Sequence, residues 1–117
     1  MKNFYEVCVY KVKPTKVAEF EELILEIDEF QQSIPGSLEM EFIKRTHRIT
    51  NFESIRQGIP PKKITRIIKS VKYIMYWKMD NEETHGKATQ LFFEKFGKKL
   101  SRCTLEPGEK YLGVNVL

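Results

Sequence analysis

Two cysteines in 117 residues, Cys8 and Cys103, are too few for a disulfide framework, and they do not form the C-x-x-C pair of a zinc site. Both lie in apolar, strand-like surroundings and are expected to be buried, reduced packing residues. No stretch approaches the ~20 apolar residues that a membrane helix needs. Glycine-rich phosphate loops of the Walker or Rossmann kind are missing, which argues against nucleotide chemistry of those types. No Ser or Cys sits in a nucleophile elbow, so acyl-transfer chemistry is not indicated. There is no internal repeat and no low-complexity tract. The opening segment MKNFYEVCVYKVK has no long apolar run followed by small residues, does not read as a signal peptide, and points to a cytoplasmic location.

What is present is an ordinary globular composition, with 41% hydrophobic and 31% charged residues. The length fits one domain spanning 1–117. A chain this short has little core to spare, so contacts with a second copy would help it. The net charge of +4 hides an asymmetry. Between Lys44 and Lys72 there are nine Lys or Arg and one acid, Glu53, so that segment carries +8. The rest of the chain carries −4.

The order of elements is legible from hydrophobic period. Residues 4–12, FYEVCVYKV, are rich in β-branched and aromatic types and read as a strand. Pro14 and Thr15 then introduce a helix over 16–33, with Thr15 as its cap. Val17, Phe20, Ile24, Ile27 and Phe30 or Ile34 form its apolar stripe, and acidic residues fill its outer face. Pro35-Gly36 ends it. Residues 37–49 alternate, with Leu38, Met40 and Phe42 on one face and Glu39, Glu41 and Arg45 on the other. Residues 50–62 read as a loop. The stretch 64–79 reads as one long strand with Val71, Tyr73, Met75, Trp77 and Met79 on one face and Ile68, Ile74 and Tyr76 on the other. Asp80 and Glu83 have capping-box spacing for a second helix lined by Ala88, Leu91, Phe92, Phe96 and Leu100. An irregular strand over 101–105, a turn at Pro107-Gly108 and a final strand YLGVNVL complete the chain.

Strand, helix, strand, strand, helix, strand is the ferredoxin-like βαββαβ order of an α+β protein. Right-handed crossovers put both helices on one face of a four-stranded antiparallel sheet. The first and third strands are central, and these are the two with apolar residues on both faces. Two helices cover only one face. The other would expose a large apolar patch, which a second copy packed with two-fold symmetry would bury. A homodimer is therefore expected.

With these features the chain resembles the dimeric α+β barrel superfamily, which includes antibiotic-biosynthesis-monooxygenase-like proteins. The resemblance rests on FYEVCVYKV, the Pro14 helix start, the Ile34-Pro35-Gly36 helix exit and the run YIMYWKMDNEE, where a strand ending near Trp77 leads at once into a helix. It implies a small-molecule pocket between sheet and helices. It also implies a cofactor-free monooxygenase or isomerase, with His85 moving protons and Trp77 and Tyr73 shaping the pocket. Tyr10 and His47 are further binding candidates. A haem-degrading branch shares the fold but carries an Asn on the first strand and a His late in the second helix. Here Glu6, Val7 and Cys8 offer no Asn and His85 is early, so that activity is not expected.

No cofactor or metal is called for: His47, His85, Glu6, Glu39 and Glu41 show no metalloprotease-type spacing. The competing reading is a non-catalytic dimer that binds an anionic ligand or partner through the basic 44–72 hairpin. That hairpin also has the charge to reach the acidic first helix. Nucleic acid is not expected, because the K/R-G-F/Y-G/A-F-V-x-F/Y pattern of RNA-recognition domains is missing.

Overall fold

The computed structural model describes residues 2–66 and 69–117. The first strand, β1, runs Phe4–Val12, as its alternation requires. A 3-10 turn at Pro14–Lys16 leads into helix α1, Val17–Gln32. Thr15 lies inside that turn and does not cap the helix. The cap position is Lys16, which makes no side-chain capping bond. Phe20, Leu23, Ile27 and Phe30 are buried, while Val17 and Ile24 are only partly so. The inward stripe thus runs through Leu23. Gly36 turns the chain with φ +89°, a conformation that glycine adopts freely. Its carbonyl accepts from Asp80 N at 2.9 Å.

Strand β2 is Ser37–Lys44 and pairs with β3, Val71–Met79. The register slips between Ser37 and Glu39, so Leu38 sits at a bulge and is 53% exposed, while Met40 and Phe42 turn inward as the alternation predicts. The two long strand runs of the sequence are in fact each divided. Beyond Lys44 the chain enters an arm whose neck is held by Arg48 N to Lys62 O and Ile64 N to Thr46 O, each 2.8 Å. The expected loop contains a short helix, α2, Phe52–Arg56. β3 begins only at Val71, because Ile64 pairs with the neck instead of with β2. The expectation for Ile68 lies outside the described residues.

Helix α3 spans Glu82–Cys103. Its cap is Asn81, whose side chain accepts from Thr84 N at 2.9 Å, and not Asp80. Asp80 is still engaged with Gly36, so the next residue is the first one free to cap. Ala88, Phe92, Phe96, Leu100 and Cys103 face inward, whereas Leu91 is 46% exposed. The helix absorbs 101–103, which had strand-like composition. Thr104 then makes one bridge to Val12, and β4, Glu109–Val114, closes the sheet.

The sheet order is β2-β3-β1-β4, all antiparallel, with β1 and β3 central. This is the ferredoxin-like α+β arrangement. The core lies between one sheet face and the two long helices, built from Cys8, Tyr10, Val12, Tyr73, Met75 and Trp77 against Phe20, Ile27, Phe92 and Phe96. The opposite face carries Tyr5, Val7, Val9, Ile43, Ile74 and Tyr76 in register, and among the described residues neither long helix packs on it. Among the described residues no helix is long and apolar enough to cross a membrane.

Candidate functional site

Glu6 stands at an inward position of β1, directly opposite Trp77 on β3. A carboxylate there faces the core and needs a partner. His85, in the first turn of α3, supplies it: Nε2 lies 2.6 Å from Glu6 Oε1. The side chain of Glu6 is only 4% exposed and that of His85 13%. Thr89 Oγ1 also approaches Nε2, at 3.4 Å. The imidazole is flanked by Phe4 at 5.3 Å and Trp77 at 6.2 Å between ring centroids. His85 is thus drawn in from solvent by its partner. An ionised Glu6 can only accept, so Nε2–H is the donor, and in the neutral imidazole Nδ1 then carries the lone pair.

Trp77 is buried and its indole is fixed. Nε1–H donates to Ser37 Oγ at 2.8 Å, and that hydroxyl donates to Gln31 Oε1 at 2.9 Å. Gln31 is itself buried, at the end of α1.

Tyr73 lies on the same face of β3 as Trp77, four residues earlier, which is about 13 Å along a strand. Its hydroxyl donates to Glu21 Oε2 at 2.5 Å. Lys44 Nζ lies 2.9 Å from the same oxygen and 5.8 Å from the Tyr73 ring centre. The basic segment therefore does reach the acidic helix, within one chain. The Tyr73 hydroxyl and then Lys44 hold the Glu21 carboxyl below its usual range, while burial and then Glu21 push the Tyr73 phenol up. Glu21, Ile24, Phe42, Lys44 and Tyr73 line a cavity of about 260 Å³.

Tyr10 is buried against Phe20 and stacks at 6.3 Å on Phe42. Burial, more than its neighbour Cys8, raises its phenol well above the ordinary value. It reaches a second cavity, of about 310 Å³, between α3 and the start of β4. His47 is elsewhere: it is exposed in the arm's neck, with Nδ1 2.7 Å from Thr46 Oγ1. The expected site residues thus fall into separate groups. His85 and Trp77 come together, Tyr73 and Tyr10 serve different cavities, and His47 joins neither. Glu39 and Glu41 point away from Glu6, on the other sheet face. Among the described residues no three metal-ligating side chains gather.

Sequence reading missed the roles of Glu6, Glu21 and Ser37. A signal existed for Glu6, which shares the inward phase of Phe4, Cys8 and Tyr10 in an otherwise apolar row.

The largest cavity described, about 880 Å³, lies at the opposite end of β3 from Trp77. It is an open hollow bordered by the ends of β1 and β2, the returning arm, the start of β3 and the α3–β4 connection.

No family model matches the chain, and no curated protein matches it. Solved structures do. A Bordetella bronchiseptica protein named as a candidate antibiotic biosynthesis monooxygenase aligns with a TM-score of 0.70 at 15% identity, covering 100% of both chains. A Streptomyces coelicolor monooxygenase solved with the ligand nanaomycin D aligns at 0.61 and 13%, covering 97% of this chain and 87% of that one. A cofactor-independent oxygenase from Streptomyces nogalater aligns at 0.59 and 14%, covering 100% and 94%. The fold of this chain is thus the α+β fold of antibiotic-biosynthesis-monooxygenase-like proteins, as the resemblance implied.

Proposed function

We propose that the protein is a homodimeric small-molecule-binding protein that acts as a cofactor-free monooxygenase or isomerase. The observation that carries this reading is the buried contact between His85 and Glu6 beside Trp77. Glu6 orients the ring and compensates the charge that forms when the imidazole takes a proton. Nδ1 is the working nitrogen. It removes a proton from an acidic C–H or O–H of an aromatic or polyketide-like substrate. The resulting anion either reacts with dioxygen or is reprotonated at another carbon. Phe4, only partly buried, offers aromatic surface to such a substrate, Trp77 backs the imidazole from the core, and Tyr73 and Tyr10 are binding residues. His47 is a weaker binding candidate. Support also comes from neighbours of the same fold, one an oxygenase that needs no cofactor and one solved with nanaomycin D.

The test is turnover of dihydroxyaromatic compounds in chelator-treated buffer, followed by oxygen uptake and product analysis. His85→Ala should lower kcat about 100-fold or more while the dimer persists. Turnover unchanged in that variant would sink the assignment.

A second reading is supported by the 880 Å³ cavity: an anionic ligand held by the basic segment, with no chemistry required.

A further inference from the structure

Of the nine Lys and Arg between Lys44 and Lys72, six border a single hollow: Lys44, Arg45, Lys63, Arg66, Lys69 and Lys72. With Lys11 from β1 they make seven cationic side chains around a cavity of about 880 Å³, which holds a single carboxylate, Glu106. Two of the seven are answered within the chain: Lys11 by Glu106 at 2.8 Å and Lys44 by Glu21 at 2.9 Å. Arg45, Lys63, Arg66, Lys69 and Lys72 have no carboxylate within 4.0 Å among the described residues.

These five come from separate stretches. Arg45 N donates to Lys72 O at 2.9 Å and Ile64 N to Thr46 O at 2.8 Å, which brings Arg45, Lys63 and Lys72 to one end of the sheet. The backbone thus converges like charges on one hollow instead of dispersing them. Their mutual repulsion opposes folding, and a bound anion relieves it.

The walls narrow the choice of anion. Ile64, Val71 and Leu105 give the cavity apolar surface, and its volume lies in the range of small-molecule sites, about 300–1,000 Å³. No aromatic side chain lines it among the described residues. Single-stranded nucleic acid is usually held by stacking its bases on such rings. Arg and Lys together suit phosphoryl and carboxylate oxygens.

We propose that this cavity binds a small organic molecule carrying two or more phosphoryl or carboxylate groups on a partly apolar body. This rests on the second reading above and is independent of His85.

The test is calorimetric titration of the whole chain with adenosine diphosphate, citrate, adenosine and a twelve-nucleotide single-stranded DNA, at 50 and 200 mM NaCl. Adenosine diphosphate or citrate should bind saturably and weaken several-fold at the higher salt, and adenosine should not bind. The double reversal R66E/K69E, on exposed positions, should lower affinity at least tenfold without lowering the urea midpoint, since it also relieves the repulsion. H85A should leave affinity unaltered. DNA binding that the reversal abolishes but adenosine diphosphate does not displace would overturn the small-molecule inference while keeping an anion site on the hairpin. No saturable binding of any probe, or binding that ignores the reversal, would overturn both.

Discussion

Glu6 and His85, 79 residues apart in the chain, meet at 2.6 Å on the covered side of the sheet. The contact exists because β1 lies beside β3 and α3 folds back over both. It joins the first strand to the start of the last helix at the point where Trp77 closes the core.

Breaking this pair should cost stability as well as chemistry. In His85→Ala the Glu6 carboxylate stays buried without its partner, a loss of about 2–3 kcal/mol. Glu6→Gln keeps a hydrogen-bonding group in place and should cost only about 1 kcal/mol. Urea denaturation of both variants measures this. Equal costs would mean that the charge on Glu6 contributes nothing.

The line from Trp77 through Ser37 to Gln31 makes a second prediction. Ser37→Ala removes the oxygen that accepts from the indole N–H. It also removes the hydroxyl that bonds buried Gln31. The expected loss is about 1–2 kcal/mol, with a shift in Trp77 fluorescence, since this is the one tryptophan. An unshifted emission maximum would show that the indole is not held by Ser37.

Alkaline pH should unfold the protein through its buried tyrosines. Burial raises Tyr10 well above the ordinary value, and burial followed by Glu21 raises Tyr73. The unfolded chain releases these protons near pH 10 while the folded chain retains them, so the stabilisation is complete below about pH 10 and is lost as pH rises further. The slope is up to about 1.4 kcal/mol per pH unit for each tyrosine. Urea midpoints between pH 8 and 11 report it, and Tyr73→Phe should flatten the decline. A decline as steep in that variant would exclude Tyr73 as a contributor.

Much of this fold could be read from period alone, and the exceptions have physical causes. β1 was visible to the residue because nine positions of β-branched and aromatic types sit between a polar start and Pro14. The division of 64–79 was not, since Ile64 and Val71 have equal strand propensity and only their partners differ. The helix of five residues at Phe52–Arg56 is too short to show a period. At the site, His85 and Trp77 were legible as residue types, but the meeting with Glu6 is tertiary. The charge of the basic segment was plain in the sequence, whereas its concavity depends on where the arm rejoins the sheet.

Crowding at Gly108 gives a packing test of the edge beside Tyr10. A Cβ there would lie 2.5 Å from Cys8 Sγ and 3.2 Å from Tyr10 Cε1. Both neighbours are buried and have little room to retreat. Gly108→Ala should cost about 1–3 kcal/mol, and adding Cys8→Ala should recover part of it. Full additivity of the two losses would show that the contact is relieved by movement of β4 instead.

The open sheet face carries the last prediction. Val7 pairs with Tyr76, and Val9 and Ile43 both pair with Ile74, which makes one apolar patch across three strands. Charged residues border it, with Glu39 opposite Lys78 and Lys11 opposite Lys72. A two-fold axis through such a patch would bring apolar centre onto apolar centre, the arrangement of a self-complementary interface. Sedimentation at low micromolar concentration should then give twice the chain mass of 13.9 kDa. Ile74→Lys places a charge at the middle of the patch and should yield monomers with the helix-side core intact. A wild-type chain that sediments as a monomer would remove the homodimer from the proposed function, and an Ile74→Lys variant that still dimerises would move the interface to another surface.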